Sequence, residues 1–531
     1  MEKWMWNADL GNGSYRNPIL YADYSDPDAI RVGKDYFMIA SSFGNSPAIP
    51  VLHSKDLVNW KVINYVLDQI PEKRYEKPIH GCGVWAPAIR YHEGIYYVCF
   101  PMPDEGIYMC TTKDPFTTWS EPINIRPGVG WIDPCPFWDE DGKAYLVAGV
   151  AKSRIGYKSV LHLVRMKEDG SGVYGEVVKI FDGNENEQET IEGPKLYKRN
   201  GYYYIFAPAG GVKTGWQTVL RAKNIWGPYD VKVVMRQGDT PINGPHQGAL
   251  IDTVTGEDWF LHFQDVYAAG RITHLQPITW VEDWPIIGVI KEGRDYGEPI
   301  HQYKKPNVGE RYDRISPEAS DHFSRETLGL QWQWNANYKK EWYEISTKQQ
   351  VLRLNSVSQA ILTPISELPN LLLQKWPAPE FTCTTKMMIS HLNPGDRAGY
   401  VSMGVVFGSL FVEKRESGYQ LYQVLGQQDF HNQDCNSKQE IIEVISFEQE
   451  VIYFRYDVSY AGKRVGADVE VLNAPQEKIT MSFSFNGIEY HEVFTFLAEP
   501  GRWVGVKSGM FCYREDELPG GYTEVEYVNY E

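Results

Sequence analysis

The sequence predicts an all-β protein that consists of a five-bladed β-propeller followed by a β-sandwich. Three observations lead to this prediction. Long helical patterns are scarce, a two-part β-type unit occurs five times in the first part of the chain, and alternating segments of a different kind fill the remainder. A chain of 531 residues is also too long for one compact core, so more than one domain is expected.

The repeated unit has two parts that are joined by a turn. The first part is a short segment built around a proline: SDPDAIRV at 25–32, WAPAIRY at 85–91, IDPCPFW at 132–138, IEGPKLY at 191–197 and GPHQGALI at 244–251. The second part is an aromatic-rich strand pattern that begins at residues 34, 94, 142, 201 and 257. Two strands around a tight turn form a β-hairpin, and five hairpins with room for outer strands predict five propeller blades.

The C-terminal part of the chain has a different pattern. The stretch 306–320 is rich in proline and charge and shows no hydrophobic period. Beyond it, alternation at 451–460 predicts a strand, and 478–493 predicts a hairpin with an Asn-Gly turn. We therefore expect a propeller at 1–305, a linker at 306–320 and a β-sandwich at 321–531.

The composition favours one class of partner over another. The formal net charge is −17 and basic side chains do not cluster, whereas binding to nucleic acid requires clustered lysine and arginine. Aromatic residues reach 14%, which is typical of half-buried sheet faces and equally of sugar-binding surfaces, where pyranose rings stack on flat apolar rings. A neutral oligosaccharide is therefore the expected small-molecule partner, and no nucleic acid is expected.

Cysteine usage and hydrophobic runs predict the compartment. The seven cysteines form no CxxC pair, which favours buried thiols in a reducing compartment over a disulfide framework. The first residues, MEKWMWNADLGNG, lack the basic and then apolar order of a secretory leader. No run of about 18 apolar residues is present, so no membrane partner is expected. These features predict a cytoplasmic protein.

Three acidic residues stand near the start of the proline segments. Asp26, Asp133 and Glu192 lead units one, three and four, and the innermost strands of a propeller bring such positions to one mouth of the central channel. Carboxylates held close together raise at least one pKa, as a general acid near neutral pH requires. Glycosidic cleavage needs one protonated and one ionised carboxyl group. A single Asp before Pro is also a common turn residue, so the prediction depends on the repeat.

Several motifs together resemble glycoside hydrolase family 43 over nearly the whole chain. They are SDPDAIRVGKDYFMIASSF at 25–43, HSKDLVNW at 53–60, GVWAPAIRY at 83–91, IDPCPFWDEDGKAYLV at 132–147, EGPKLYKRNGYYYIFAPAGG at 192–211 and GRITHLQPI at 270–278. The resemblance implies a five-bladed propeller that hydrolyses with inversion. It implies Asp26 as general base, Asp133 as the residue that tunes the pKa of the acid and orients the substrate, and Glu192 as general acid.

The same resemblance implies further site residues. Phe43 and Trp85 match aromatic residues that line the pocket of the terminal sugar, although Phe43 can equally belong to the propeller core. Arg271 matches an arginine that hydrogen-bonds the bound sugar. His246 matches a channel histidine that is a ligand of a calcium ion in many relatives. Calcium prefers oxygen ligands, so such an ion is expected to be structural and not catalytic.

The C-terminal part resembles the concanavalin A-like sandwich that accompanies the β-xylosidase branch of this family. The matching stretches are 321–337, 371–387 and RWVGVKSGM at 502–510. In that branch a loop of the sandwich narrows the pocket, and Trp503 matches its aromatic residue. A pocket closed at one end admits only a chain terminus, which implies exo action. The residues around Asp133 and His246 depart from the commonest xylosidase versions, which leaves the preferred sugar open.

These features predict an exo-acting, inverting glycoside hydrolase that releases terminal xylose from xylo-oligosaccharides and takes part in xylan degradation. It is expected to be a β-xylosidase with α-L-arabinofuranosidase activity, and catalysis is expected to need no cofactor. A dedicated α-L-arabinofuranosidase acting on arabinoxylan or arabinan fragments is the first alternative, and a non-catalytic sugar-binding protein is the second. Dimers and tetramers both occur in this branch, so a homo-oligomer stays open.

Overall fold

The computed structural model describes residues 4–431, 434–460 and 477–531, and almost all regular structure in them is β-strand. The one α-helix of the described part is the short Lys152–Ile155. Four 3-10 turns complete its helical content: Lys73–Glu76, Tyr267–Ala269, Lys340–Trp342 and Ile365–Glu367. The prediction of an all-β protein is confirmed.

The first part of the chain forms a five-bladed β-propeller. Each blade contains four consecutive antiparallel strands, and the first strands of neighbouring blades 1 to 3 contact one another. The strands are Asp28–Val32, Asp35–Ile39, Ala48–Ser54 and Trp60–Leu67 in blade 1; Ala88–His92, Ile95–Met102, Gly106–Thr112 and Ile123–Pro127 in blade 2; Trp131–Trp138, Ala144–Val150, Val160–Met166 and Val173–Asp182 in blade 3; Lys195–Arg199, Tyr202–Ala209, Trp216–Ala222 and Asp230–Met235 in blade 4; and His246–Asp252, Asp258–Asp265, Arg271–Val281 and Trp284–Ile287 in blade 5. The five hairpins predicted from the repeat are the first two strands of the blades.

Strand alternation explains how the blades pack. Successive side chains of a strand point to opposite faces, so each blade presents one apolar face to each neighbour. In the second strand of blade 1, Phe37 packs against Val98 of blade 2, whereas Met38 packs in a cluster with Trp259 of blade 5. Separate apolar clusters fill the space between every pair of adjacent blades.

The chain closes the ring by pairing its beginning with later segments. Strand Ser14–Arg16 pairs with Gln302–Lys304, and the backbone of Leu20 bridges Thr273 in blade 5. Two further short strands, Val289–Ile290 and Gly297–Glu298, extend blade 4. The segment before blade 1 is thus bonded to blade 5 and to the segment that follows it. Blades 1 and 5 each keep four consecutive strands, so no strand is exchanged between the first and last blades.

The C-terminal part is a β-sandwich of two sheets. One sheet contains Trp332–Trp334, Leu372–Lys375, Lys507–Arg514, Arg397–Met403, Val406–Lys414, Tyr419–His431 and Asp434–Phe447 in this order, with Val357–Ser358 beside Lys507–Arg514. The other sheet contains Tyr343–Ser346, Val351–Asn355, Tyr522–Tyr530, Phe381–Met388, Val451–Tyr460, Glu477–Ser484 and His491–Leu497. The predicted strand at 451–460 alternates as expected, since its residues at even positions from 452 to 458 are buried.

The hairpin predicted at 478–493 has a longer connection than the sequence suggested. Glu477–Ser484 pairs with His491–Leu497, so residues 485–490 join the strands and the two-residue Asn-Gly turn is wrong. Side chains explain the difference. Ser484 Oγ accepts from the Gly487 amide at 3.0 Å, and Asn486 Oδ1 accepts from the Ile488 amide at 2.8 Å. Such local side-chain bonds compete with the tight turn.

The sandwich packs directly against the propeller. Ser46 and Trp334 exchange backbone hydrogen bonds of 3.1 and 2.6 Å, and Ser46 Oγ donates to the Ala336 carbonyl at 2.6 Å. The apolar core of the sandwich continues into propeller residues such as Ala268 and Ile272. The segment 306–320, predicted as a linker, contains no strand and follows the surface of both units. The two domains therefore share one continuous packed region.

Two further expectations concern thiols and membrane spans. All seven cysteines are free, and all are buried except the half-buried Cys435. Burial raises the pKa of thiols such as Cys110 to about 12, so they are unreactive at neutral pH. Among the described residues, no helix has the length and apolar character that crossing a membrane requires.

Candidate active site

The predicted acids lie where the first strands of blades 1, 3 and 4 begin. Asp26 lies two positions before the first paired residue of blade 1, Asp28, and Glu192 lies three positions before that of blade 4, Lys195. Asp133 lies inside its strand, two positions before the residue at which pairing resumes after a register shift, Cys135. Glu192 is therefore one residue earlier than a strict equivalence of the three acids requires. Gly193 takes the equivalent place, with φ of 60°, compared with 55° for Asp26 and 54° for Asp133.

This shared left-handed backbone has a physical consequence. A non-glycine residue at positive φ is strained and needs support from its surroundings. In blade 3 the strained residue coincides with a register shift between Ile132 and Cys135, which is a β-bulge. Bulges redirect side chains. The local strain thus turns the carboxyl groups of Asp26 and Asp133 out of the regular strand direction.

The structure brings the three acids together. The amide of Gly193 donates to Asp133 Oδ2 at 2.8 Å, so the backbone beside Glu192 holds the carboxylate of blade 3. The charge of Asp26 acts on Asp133, and the charges of both act on Glu192. Asp26, Asp133 and Glu192 are thus close enough to act on one another, although the chain between them spans three blades.

Asp26 is surrounded by hydrogen-bond donors. Ser25 Oγ and Ser41 Oγ donate to its Oδ2 at 2.7 and 2.6 Å, and Arg271 Nη1 donates to its Oδ1 at 3.1 Å. Its side chain is 7% exposed and that of Arg271 is 11% exposed. Hydroxyl and guanidinium donors stabilise a negative carboxylate in a site of low polarity. The arrangement suits a general base.

Asp133 is buried, and its surroundings disfavour the ionised form of its carboxyl group. Burial and the nearby charge of Asp26 raise the pKa of Asp133 to about 6, although Lys195, the Gly193 amide and the Gln247 side chain act in the opposite direction. Its charge is therefore sensitive to the protonation of its neighbours. Asp133 is influenced by the charge of Asp26 and in turn influences Glu192, as expected of a residue that tunes the acid.

Glu192 has the most strongly perturbed carboxyl group of the three. Burial, followed by the charge of Asp133, raises the pKa of Glu192 to about 8, against the lowering effect of Arg271. Its side chain is nevertheless 28% exposed, more than that of Asp26. A carboxyl group that is protonated at neutral pH and can be reached from the cavity can donate a proton to a leaving oxygen.

His246 lies beside the predicted acid at the start of blade 5. Its Nε2 is 3.4 Å from Glu192 Oε1, although neither ring nitrogen makes a hydrogen bond within the described residues. Burial and the charge of Arg271 lower the pKa of His246 to about 3, so the imidazole is neutral. A neutral ring next to Glu192 adds no positive charge that would oppose protonation of that carboxyl group.

The side chains around His246 differ from the usual ligand set of a calcium ion. Calcium takes six to eight oxygen ligands, usually including carboxylates. The described part of the chain contains no group of three or more His, Cys, Asp or Glu side chains suited to hold a metal. The side chains around His246 therefore do not form a calcium site by themselves, and no catalytic step is assigned to an ion.

The three aromatic residues predicted for the sugar pocket lie together. Trp85 lies 6.1 Å from Phe43 and 6.3 Å from Trp503, measured between ring centroids. Phe43 is buried and its backbone pairs with Val84, so it belongs to the propeller core and also contacts the pocket aromatic. Trp503 comes from the sandwich and is 46% exposed. The rim is thus built from both domains.

Sequence reasoning missed a support of Trp85. The guanidinium of Arg154 lies 5.3 Å from the centre of the Trp85 ring, and Arg154 Nε donates to Asp104 Oδ1 at 2.8 Å. The Trp85 indole donates to the Gly81 carbonyl at 3.2 Å. Arg154 stands on the short helix Lys152–Ile155, and no repeat or motif marked it.

Comparison with known protein families identifies both parts of the chain. The family model described as glycosyl hydrolases family 43 matches residues 15–285. The model described as the β-xylosidase C-terminal concanavalin A-like domain matches residues 320–531. The two matches follow the propeller and the sandwich, and the stretch between them, 286–319, contains all but the last residue of the predicted linker.

Several individual proteins are similar to this chain. A protein of Xylanibacter ruminicola, whose name assigns it to the β-xylosidases, is 40% identical over 75% of this chain and 73% of its own length. A β-xylosidase of Formosa agariphila is 30% identical over 99% of this chain and 91% of its own. A non-reducing end α-L-arabinofuranosidase of Bacteroides ovatus is 31% identical over 75% of both chains.

A solved structure is similar in fold over nearly the whole chain. It belongs to a bifunctional protein of Bacteroides eggerthii that combines a family 43 hydrolase with a second unit, and it superposes with a TM-score of 0.81 at 27% identity. The similarity covers 97% of this chain and 63% of that longer chain.

Proposed function

The chain belongs to family 43 of the glycosyl hydrolases, whose members are inverting glycosidases that need no cofactor for catalysis, and from this premise we propose that it releases terminal xylose from xylo-oligosaccharides. One observation carries the proposal: carboxyl groups that are close enough to act on one another have different hydrogen-bonding and electrostatic surroundings. Glu192 has a pKa raised to about 8, whereas Asp26 accepts hydrogen bonds from two serines and an arginine.

The proposed reaction uses the two carboxyl groups in separate roles. Glu192 donates its proton to the glycosidic oxygen as the bond to the anomeric carbon breaks. Asp26 takes a proton from a water molecule, whose oxygen attacks the anomeric carbon from the opposite face. The released sugar has inverted configuration, Glu192 ends ionised and Asp26 ends protonated. Return of the proton through solvent restores both groups.

Asp133 and Arg271 act on these two groups in the proposed reaction. The charge of Asp133 keeps the pKa of Glu192 high, so the acid stays protonated until the leaving oxygen develops negative charge. Arg271 pairs with Asp26 and reaches the cavity, where its remaining donors can bind sugar hydroxyl groups. Trp85 and Trp503 offer flat apolar surfaces to the C–H faces of the sugar ring, and the buried Phe43 packs beside Trp85.

Release from the chain end is proposed because the rim is contributed by two domains. Trp503, from the sandwich, contacts Trp85 of the propeller, and in the proposed pocket this contact closes the side opposite the entering chain end. A xylose unit and an arabinofuranose unit present similar hydroxyl groups, so the same pocket is proposed to act on α-L-arabinofuranosides as well. The similarity to the Bacteroides ovatus arabinofuranosidase supports a dedicated arabinofuranosidase as the second candidate.

Proton NMR during hydrolysis of methyl β-xylobioside, whose blocked reducing end leaves only the released unit as free xylose, tests the proposal. The first anomer to appear is expected to be α-xylose, because inversion converts the β linkage. Appearance of β-xylose first would refute inversion, and no release of xylose would refute the substrate. Parallel rates on the nitrophenyl derivatives of β-D-xylopyranose and α-L-arabinofuranose distinguish the two candidates. Loss of turnover in Glu192→Ala would exclude a non-catalytic sugar-binding protein.

Three further expectations remain proposals. The buried free thiols support a reducing, cytoplasmic location, which fractionation of the source cells tests. A homo-oligomer is tested by light scattering. A calcium ion near His246 would need backbone or water oxygens as ligands, since the side chains there do not form a site by themselves. Metal analysis of the purified protein tests it, where stoichiometric calcium would support such an ion and its absence would contradict it.

A further inference from the structure

The carboxylate of Asp23 connects the two domains beside the cavity. Its Oδ1 accepts from the backbone amide of Arg271 at 2.9 Å, and its Oδ2 accepts from the backbone amide of Gly505 at 2.9 Å. The side chain is 4% exposed, so water competes little for these bonds. We propose that Asp23 is a positioning residue that holds the sugar-binding arginine and the Trp503 loop in fixed relation to each other.

Each end of this bridge leads to a group of the site. On the propeller side, Arg271 extends its guanidinium to Asp26 Oδ1 at 3.1 Å. On the sandwich side, Trp503 precedes Gly505 by two residues and lies 6.3 Å from the Trp85 ring. Among the described residues, no hydrogen bond or ion pair joins Asp23 to the three acids, and its carboxylate accepts instead from the amides of Arg271 and Gly505. It therefore acts through other residues and not on the substrate.

Two glycines make the close approach of the domains feasible. A Cβ atom on Gly270 would lie 2.7 Å from Asp23 Cγ and 2.8 Å from the Gly505 Cα, and a Cβ atom on Gly505 would lie 2.8 Å from the Ala269 carbonyl oxygen. Such distances are shorter than real contacts allow. These glycines belong to the segments GRITHLQPI and RWVGVKSGM, one from each domain.

A third bond fixes the orientation of the loop. The amide of Val506 donates to the Ala268 carbonyl at 2.7 Å, next to the amide of Gly505 on Asp23. Two consecutive backbone amides of the sandwich, those of Gly505 and Val506, thus donate to two different acceptors of the propeller. Because the backbone is fixed at 505 and 506, the position of Trp503 depends on only one intervening residue, Val504. The bridge therefore determines where the rim ring stands.

Substitution Asp23→Asn tests this proposal, which rests on the proposed function. The amide keeps the shape but presents one NH₂ group toward an amide donor, so one of the two bonds is lost. For xylobiose, kcat/KM is expected to fall roughly tenfold, mainly through a higher KM, since hydrogen bonds to charged groups are the strong ones. Asp68→Asn is the matched control, because Asp68 accepts from Tyr338 across the same two domains but follows the outermost strand of blade 1.

Hydrogen exchange provides a readout that does not depend on hydrolysis. Peptides that cover 499–506 are expected to exchange several-fold faster in Asp23→Asn, while peptides from strand Lys507–Arg514 keep their rates. If the wild type releases no sugar but the exchange changes as stated, the proposed function fails and the bridge stands. Unchanged exchange at 499–506 would overturn the bridge. If Asp23→Asn does not fold, Asp23→Ser, which leaves space for water, replaces it in both measurements.

A double-mutant cycle separates positioning from general support. Trp503→Ala is expected to cost several-fold less in kcat/KM when Asp23→Asn is already present, because the ring is then no longer held in place. Additive effects would contradict the proposal. A fall in thermal stability without a change in KM would do the same, since it would assign Asp23 a structural role only.

Discussion

Arg271 Nη1 lies 3.1 Å from Asp26 Oδ1, and this contact joins the third strand of blade 5 to the entrance of blade 1. The positive partner of the proposed base is therefore supplied from the opposite end of the propeller sequence. The base acquires this partner only when the ring is closed, so folding of the last blade completes the site begun by the first.

Removal of the Arg271 side chain should lower the free energy of unfolding as well as slow the proposed hydrolysis. Arg271→Ala leaves the buried carboxylate of Asp26 without its charge partner, and the expected loss of unfolding free energy is about 3–5 kcal/mol. Arg31→Ala is the control, because Arg31 pairs with Asp252 across the same two blades at an exposed site, where about 0–1 kcal/mol is expected. Urea denaturation measures both. Equal losses in the two variants would contradict the buried pair.

The loss of rate caused by replacing the proposed acid should depend on the leaving group of the substrate. Glu192→Gln removes the proton that the leaving oxygen needs, so turnover of xylobiose is expected to fall about 10²–10⁴-fold. A nitrophenyl xyloside needs less assistance and should lose less. Glu185→Gln, in the exposed loop ahead of the acid, should leave both rates unchanged. Equal losses on both substrates would argue against acid catalysis by Glu192.

The pH profile should report the raised pKa of Glu192. A general acid works only while protonated, so kcat/KM is expected to fall as the pH rises through about 8. The negative charge of Asp133 contributes to the raised pKa, so Asp133→Asn should move this alkaline limb to lower pH as well as reduce the maximum rate. A limb that stays in place would contradict the coupling of the two carboxyl groups.

Loss of the rim ring should weaken binding more than chemistry. Trp503→Ala removes an aromatic contact with Trp85, which corresponds to about 0.5–1.5 kcal/mol and a several-fold higher KM for xylobiose. The value of kcat should change less. Tyr174→Ala is the control, since Tyr174 is an exposed aromatic on the outermost strand of blade 3. A change confined to kcat would place Trp503 outside the binding surface.

The shared core should make the two domains unfold together. Ala268 and Ile272 of the propeller pack in the same apolar cluster as the sandwich core, so exposure of one domain uncovers the other. Calorimetry is expected to show one transition. Two separate transitions, with unchanged propeller activity after the sandwich has melted, would contradict this prediction.

The sequence predicted the blades because each hairpin repeats the same local pattern. Strand alternation in segments such as Asp35–Ile39 places apolar side chains on both faces, and this period is visible without coordinates. The acids were found for the same reason, since Asp26 and Asp133 stand before prolines at repeated positions. The fold and the identity of the candidate acids were thus accessible from local signals.

Other features depend on contacts that no local pattern records. Asp23 and Gly505 are 482 residues apart and meet only through packing of the domains. The offset of Glu192 by one residue follows from the left-handed Gly193, whose φ the repeat does not encode. The serine hydroxyl of residue 41 reaches Asp26 because hairpin pairing brings its strand end alongside. Such relations require the three-dimensional arrangement.

Trp503 stands on a different folding unit from the three acids. Under the proposed function, bond cleavage is encoded by the propeller, while the depth of the cavity is set by a loop that the sandwich contributes. A chimaera that carried a sandwich from another protein would keep the carboxyl groups that cleave the bond, but a different loop would then limit the depth of the cavity. Product length and reaction chemistry could then be exchanged as separate parts, provided that the new loop still offered an amide to Asp23.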